Sequence, residues 1–374
     1  MKIGIVCPYN LSLPGGVQQH IFEQAQELKK RGHSVKIITP KARTTLVFDN
    51  TDVLFLGQSR RIKTPQRTSV DISVSVDTDA IDAMLAKHKF DIIHIHEPLV
   101  PILARQMLPR INVPVVGTFH AAVPETVLAK SIAGGIAPYV KSVVKHLDAV
   151  TAVSSAATSY VGKYVHITDV TIIPNGVDLS TYKKLAQPTD RKNILYVGRL
   201  EKRKGVDYLI NAFAQFHTKY PHERLFIAGD GPDREKLERQ VLELDLVEHV
   251  DFLGYVSEKE KIDLLRGCLV YVSPALYGES FGIVLIEAMA TDAVALGGNN
   301  SGYATVLTDI GAVGLINPLD TDVFASRLEL LMYNQSLRAL WSKWASKSVK
   351  QYSYTKIVDG YEKIYKQLYK TKNN

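Results

Sequence analysis

Short apolar runs of about five residues alternate along this chain with longer stretches whose apolar positions recur every three or four residues. In the first half, runs at 2–7, 34–38, 91–96, 113–118 and 149–153 read as buried strands. Between them, 17–31 and 78–88 read as amphipathic helices. The rhythm restarts at 193–197, 224–228, 250–253, 270–273 and 293–296. Strands covered by helices on both faces are apolar throughout rather than alternating, and these runs have that character. Two such series predict an α/β protein of two doubly wound, parallel-sheet, Rossmann-like domains. The joint falls at 171–178, where TIIP leads into the turn pair Asn175-Gly176. Residues 1–174 then make the first domain and 175–353 the second. A closing amphipathic helix over about 354–370 sets Ile357, Tyr361, Ile364, Tyr365 and Leu368 on one side and is expected to pack back on the first domain.

A length of 374 residues suits two cores. No apolar run approaches the ~20 residues that span a bilayer, and MKIGIVCPYN is too short in apolar residues for a signal peptide. Cys7 and Cys268 show neither metal spacing nor a disulfide framework, which suits a reducing cytoplasm. The net charge of +7 is uneven: 1–178 holds 19 Lys/Arg against 14 Asp/Glu, the remainder 26 against 24. Arg60, Arg61, Lys63 and Arg67 form a cluster that is either a solvated loop or a face for anionic lipid. Segment 126–147 carries Leu128, Ile132, Ile136, Val140, Val143, Val144 and Leu147 at helical spacing with Lys130, Lys141 and Lys145 between them. That stripe is either core packing or a reversible membrane face. With no aromatic-rich basic motif and no zinc spacing, nucleic acid is not an expected partner.

In open parallel sheets, ligands sit beyond the carboxyl ends of the strands, so the loops there carry the candidate chemistry. The most informative is GESFGIVLIEAMA, 278–290. A glycine-opened helix start exposes backbone N–H groups to an anion, and Glu287 falls inside an apolar run where an ionised carboxylate needs hydrogen-bonding partners. Gly15-Gly16 opens an earlier helix and permits close approach of a phosphate. Gly198-Arg199 and Lys204-Gly205 place two cations on one loop, a combination suited to a diphosphate. His94 and His96 point to one face of a strand beside Glu97, but no third metal ligand has a suggestive position. His120, directly after a strand, is a candidate ligand contact. Gly229-Asp230-Gly231-Pro232 reads as a nucleotide-side turn or, the favoured reading, as the cap of a helix over 234–244.

Taken together these stretches resemble the retaining glycosyltransferases of family four, which have the GT-B fold, over essentially the whole chain. The matches are PGGVQ at 14–18, HIHEP at 94–98, TFH at 118–120, PNGVD at 174–178, VGRLEKRKG at 197–205, AGDGP at 228–232 and GESFGIVLIEAMA at 278–290. Within the family, CPY at 7–9 with PGGVQ and HIHEP looks most like the bacterial phosphatidylinositol mannosyltransferases. The resemblance implies two Rossmann-like domains with a cleft between them. Arg199 and Lys204 would neutralise the donor diphosphate, with Gly16 and the backbone of Ser280, Phe281, Gly282 and Ile283 completing its cradle. Glu287 would hold the ribose hydroxyls, Glu279 would orient the sugar, and His120 would contact it near the reacting carbon. Val256, Glu258 and Lys261 would line the base, and Tyr9 and Gln18 would meet the acceptor. No cofactor and no metal are implied, because cationic side chains and helix ends replace the ion.

A carboxylate at Glu258 would accept from guanine N1–H and its amine, which favours GDP-mannose, although Glu258 is equally a helix-start residue stabilised by the dipole. The implied activity is transfer of mannose, with retention, to a membrane-associated phospholipid or glycolipid on the inner face of the cell membrane. Two features depart from the pattern. TFH is followed by Ala121-Ala122-Val123-Pro124-Glu125, with a glutamate where a lysine would meet an acceptor phosphate, and TDAVALGGNNSGY lacks the usual proline-containing strand. The alternatives are a UDP-sugar enzyme with a diacylglycerol or soluble glycan acceptor, and a non-catalytic sugar-nucleotide or lipid-binding protein.

Overall fold

Continuous apolar runs become the central strands, and their order follows from which of them are apolar on both faces. A computed structural model of the protein describes residues 1–12, 15–41, 52–63, 69–75, 77–122, 137–162, 164–166, 169–183 and 193–373. The chain divides into two compact units, Met1–Gly176 with Tyr354–Asn374, and Val177–Ser353.

The first unit is built on eight strands: β1 (Lys2–Val6), β2 (Ser34–Lys41), β3 (Val53–Lys63), β4 (Ser69–Ser75), β5 (Ile92–His96), β6 (Val115–Phe119), β7 (Ala149–Ala152) and β8 (Val170–Ile172). Their order in the sheet is β4-β3-β2-β1-β5-β6-β7-β8. All neighbours run parallel except β3 and β4, which pair antiparallel. The purely parallel expectation is therefore corrected at one edge. The stretch 59–75 is rich in polar residues and so carries none of the continuous apolar signal of the central strands.

Helix Gly16–Lys30 buries His20, Ile21, Gln24, Ala25 and Leu28, one face at helical spacing. The C-terminal helix Tyr354–Asn373 lies beside it. Ile357, Val358, Tyr361 and Tyr365 join Ile3, Ile5, Ile21, Leu28 and Val116 in one buried cluster, with Ile364 and Leu368 packed at its margin. Arg31 fixes the pairing by bonding Asp359 at 2.9 Å, Glu362 at 3.1 Å and the Thr355 carbonyl at 2.7 Å. Of segment 126–147, residues 126–136 lie outside the described residues. In helix Ala137–Val144, Val140 and Val143 are buried while Lys141 and Lys145 are exposed. The described part of that stripe is core packing, and Pro138 sits in the first turn, where it disrupts no helical hydrogen bond. Arg60 is exposed on β3, and Arg67 lies outside the described residues.

The second unit has six parallel strands, β9 (Asn193–Val197), β10 (Leu225–Ala228), β11 (Val250–Gly254), β12 (Cys268–Ser273), β13 (Val294–Gly298) and β14 (Leu315–Ile316), in the order β11-β10-β9-β12-β13-β14. Adjacent β9 and β12 carry the two loops with most of the charged candidate residues. Helix Val206–Lys219 buries Val206, Leu209, Ile210, Ala212, Phe213 and Phe216 beneath them. Among the described residues, no helix is long and apolar enough to cross a membrane.

The Tyr361 ring is fully buried at the junction of the first and last helices. Tyr361→Ala is expected to lower the stability of the first unit by roughly 3–5 kcal/mol, read as a lower denaturant midpoint of that unit.

Candidate active site

In the second unit, the loop after β12 runs to Gly282, which caps helix Ile283–Ala290 at φ 111°. A Cβ at Gly282 would lie 2.8 Å from the Tyr303 ring, so both the conformation and the space require glycine. Phe281 is buried edge-on against Tyr352, which anchors the turn. The facing loop after β9 has its own constraint. Gly205 has φ 67°, and a Cβ there would meet the Pro274 carbonyl oxygen at 2.4 Å. Without it, Lys202–Lys204 lies along the β12 loop, where the Leu276 N–H donates to the Arg203 carbonyl at 2.9 Å.

That contact brings opposite charges together. Arg203 Nη1 and Lys204 Nζ each lie 2.7 Å from Glu279 Oε1, and Arg203 Nη2 is 2.7 Å from Glu201. Burial pushes the Glu279 carboxyl up, but Lys204 and Arg203 outweigh it and hold the group below the ordinary glutamate range. Arg199 differs from its neighbours: its side chain is 52% exposed and its nearest carboxylate, Glu201, is 3.9 Å away. It is accessible, as is Lys202 on the same loop.

Glu287, buried in helix Ile283–Ala290, reaches Lys261 Nζ at 2.8 Å. Lys261 also bonds Glu258 at 2.8 Å, so two carboxylates share one ammonium. Burial, with the neighbouring Glu258 charge adding to it, raises the Glu287 carboxyl despite Lys261. Lys261, opposed by burial, is held protonated by the two acids. The Tyr182 hydroxyl donates to Glu258 at 3.2 Å. Glu258 is exposed and is the first residue of helix Glu258–Gly267, whose N-cap Ser257 forms a capping box with Glu260. Val256 is half-buried on the preceding loop. The Gly229–Pro232 turn is not the expected cap: Asp233 occupies the N-cap of helix Arg234–Glu243 without a side-chain bond. Asp230 instead turns back to accept from the Gly231 N–H at 2.7 Å.

In the first unit, Gly16 is exposed at the start of its helix, behind the extended Gly15, with no acidic residue in the first turn. Gln18 is half-buried two residues on, and the Tyr9 carbonyl accepts from Thr39 Oγ1 at 2.8 Å. His120 is buried directly after β6. Glu97 positions it: the Glu97 carboxylate accepts from the backbone N–H groups of His120 and Ala121, both at 2.6 Å. Burial nevertheless raises the Glu97 carboxyl to about 7.

His94 and His96 do share a face, with ring centres 4.1 Å apart. Their surroundings separate them. His94 is satisfied by Thr118 Oγ1 and the Tyr365 hydroxyl, both at 2.6 Å, and is a core histidine. His96 instead bonds His120 at 2.8 Å, and His20 lies beside both. The absence of further ligands near the His-x-His pair is thus corrected: one nitrogen each from His20, His96 and His120 falls within 4.8 Å of the others.

Three residues escaped the sequence reading. Arg203 was hidden within the run Lys202-Arg203-Lys204, where nothing distinguishes the inward cation. Tyr182 is distant in sequence from the acids it faces. His20 carries a local signal, four residues after Gly16 on the buried face of its helix.

Comparison with known proteins agrees with these observations. Residues 14–181 match the family model described as Glycosyltransferase Family 4, and residues 180–348 match Glycosyl transferases group 1. The chain is 30% identical over 375 residues to a phosphatidyl-myo-inositol mannosyltransferase of Mycolicibacterium smegmatis, covering 98% of this chain and 94% of that protein. Among solved structures, sucrose-phosphate synthase from Thermosynechococcus elongatus superimposes with a TM-score of 0.78 at 20% identity, covering 99% of each chain. Anabaena HepE in complex with UDP and glucose gives 0.75 at 18% identity, covering 98% of this chain and all of that one. The chain belongs to the family 4 glycosyltransferases, has the GT-B fold, and is a glycosyltransferase.

Glu97 supplies a pH-dependent test of the His120 loop. Its folded value of about 7 lies above the ordinary 4.5, so the fold binds a proton that the unfolded chain releases. Stability from this group is complete below about pH 4.5 and falls by up to about 1.4 kcal/mol per unit until about pH 7. Glu97→Gln keeps an acceptor for both N–H groups and is expected to remove this slope. Denaturant midpoints of the two proteins between pH 5 and pH 8 are the measurement, and they should converge toward low pH.

Proposed function

We propose that this glycosyltransferase moves mannose from GDP-mannose, with retention, to a membrane-associated phospholipid or glycolipid. The observation that carries the donor half is the polarity of charge in the second unit. Around Glu279 and Glu201 stand Arg199, Arg203 and Lys204, three cations against two carboxylates. Around Lys261 stand Glu258 and Glu287, one cation against two. A nucleoside diphosphate has the matching polarity, with negative phosphates at one end and hydroxyl and N–H donors at the other.

In this reading Arg199 and Lys204 stabilise the charge that develops on the departing diphosphate, and Arg203 shares that work. The Gly282-capped helix start adds backbone N–H groups to the same cradle. Glu287 accepts from the ribose hydroxyls, which relieves a carboxylate that now shares one ammonium with Glu258. The exposed Glu258 accepts from the guanine edge. Glu279 orients the sugar, and His120 contacts it. Retention follows from the family resemblance; because Glu279 and Glu287 are held by cations rather than poised as nucleophiles, front-face displacement is the route to it in this reading. No resident metal enters this scheme.

The acceptor rests on the named mannosyltransferase relative, which aligns over 98% of this chain. The basic bias of 1–178 supports an anionic surface as partner.

Thermal shift with GDP- and UDP-sugars tests the donor: GDP-mannose at about 100 Kd should add about 2.7 kcal/mol of stability. Stabilisation by UDP-sugars alone would overturn the choice of base. Transfer is then assayed on vesicles containing phosphatidylinositol, with the product anomer read by NMR. An inverted anomer would refute retention, and transfer only to soluble glycans would refute the lipid acceptor. Activity is expected to persist in EDTA.

Arg199→Ala and Glu287→Ala should each lower kcat/KM by about 100-fold or more while leaving the fold intact. Arg199 is the cleaner test, since it is half exposed and its removal leaves no buried partner uncompensated. Near wild-type kinetics in both folded variants would remove the donor site from this rim.

A further inference from the structure

We propose that His20, His96 and His120 form a binding site for one divalent transition-metal ion of the zinc class. The three rings come from three elements, helix Gly16–Lys30, the end of β5 and the loop after β6, and all are buried. Ring centres lie 5.6 Å apart for His20–His96, 5.2 Å for His20–His120 and 5.1 Å for His96–His120. Imidazoles holding a tetrahedral ion at about 2.0–2.1 Å put their ring centres about 5 Å apart, so the observed triangle is close to a ligand set.

The polar atoms of the cluster point the same way. Among the described residues, His20 Nδ1 and His96 Nε2 are buried without a hydrogen-bond partner. An orphaned buried polar atom is destabilising, and two in one cluster call for a shared occupant. Burial keeps the imidazoles neutral, His20 down to about 3 and the other two well below the usual histidine range. Neutral imidazole is the form that ligates a metal. Outer groups are present as well: the Tyr361 hydroxyl lies 3.4 Å from His20 Nε2, and Glu97 fixes the His120 backbone. The Tyr361 contact leaves His20 Nδ1 as its ligating atom.

The ligand is an ion of borderline softness, because three nitrogens suit zinc, cobalt or nickel rather than the oxygen-seeking magnesium or calcium. An ion there would take the His120 ring away from the sugar. The site is therefore inhibitory and separate from donor activation. That consequence rests on His120 being a sugar contact; the binding does not.

The test uses the full chain, stripped of metal and dialysed against Zn2+ or Co2+. One equivalent should be retained, with Co2+ giving the visible bands of a tetrahedral site and Zn2+ an X-ray absorption shell of imidazole nitrogen at about 2.0–2.1 Å. His20→Asn and His96→Asn should each lose that equivalent. Should either variant fail to fold, the wild-type absorption spectrum decides alone. Retention of no ion, an oxygen-only shell, or binding unchanged in both folded variants would overturn the site, leaving a buried water to satisfy the orphan nitrogens. Added Zn2+ should slow transfer by the wild type. Bound metal without slowing would refute the sugar contact of His120 rather than the site.

Discussion

A carboxylate taken out of water needs a cation, hydrogen-bond donors or a proton, and in the second unit Glu279 and Glu287 take the first course. Removing a carboxylate from water costs several kcal/mol even after relaxation, so Glu279 and Glu287 could not both sit in their positions without Arg203, Lys204 and Lys261. Each cation comes from a different segment from its acid. Satisfying the charges therefore fixes the β9 loop against the β12 loop, and helix Glu258–Gly267 against helix Ile283–Ala290. Gly205 and Gly282 are where the backbone yields so that the charges can meet. An isolated pair of this kind adds little to stability. What it adds here is position, holding cations where a ligand's anionic group can share them.

The first unit solves a different problem with neutral groups. His20, His94, His96 and His120 are buried close together, where charging any one of them would be costly, and they are kept neutral by that burial. Tyr361 and Tyr365, from the end of the chain, complete the wall around them. The unit is thus discontinuous: residues 1–176 cannot bury Ile3, Ile5 and Ile21 fully until residues 354–373 are in place. The second unit has no such dependence, since Val177–Ser353 is a continuous segment. During synthesis it can complete its core first, while the first unit waits for the final helix.

The sequence revealed what depends on period and composition. The buried strands β1, β5, β6, β9 and β12 were legible because apolar residues run through them, and β9 was read at its observed bounds. Strands β3 and β4 were not, because polar residues interrupt their apolar positions, and the three-residue β8 merged with the turn that follows it. Among the functional groups, Glu279 and Glu287 stood out because a carboxylate beside or within an apolar run contradicts its surroundings. Their partners did not, for a lysine in a charged stretch gives no sign of which way it turns. Lys261 and Arg203 look like surface residues in sequence and are mostly buried in the fold.

The same asymmetry explains why the histidine triad could not be anticipated from His94-x-His96. Alternation along a strand gave the correct shared face, but not that Thr118 and Tyr365 claim His94. Which histidine is left with an unpaired nitrogen depends on side chains from β6 and from the last helix, hundreds of residues apart in the second case. Periodicity reports a residue's face, whereas chemistry depends on what the fold leaves unsatisfied there. A cluster of buried imidazoles with unpaired nitrogens is therefore visible only once Gln24, Thr118, Tyr361 and Tyr365 have taken the partners they need.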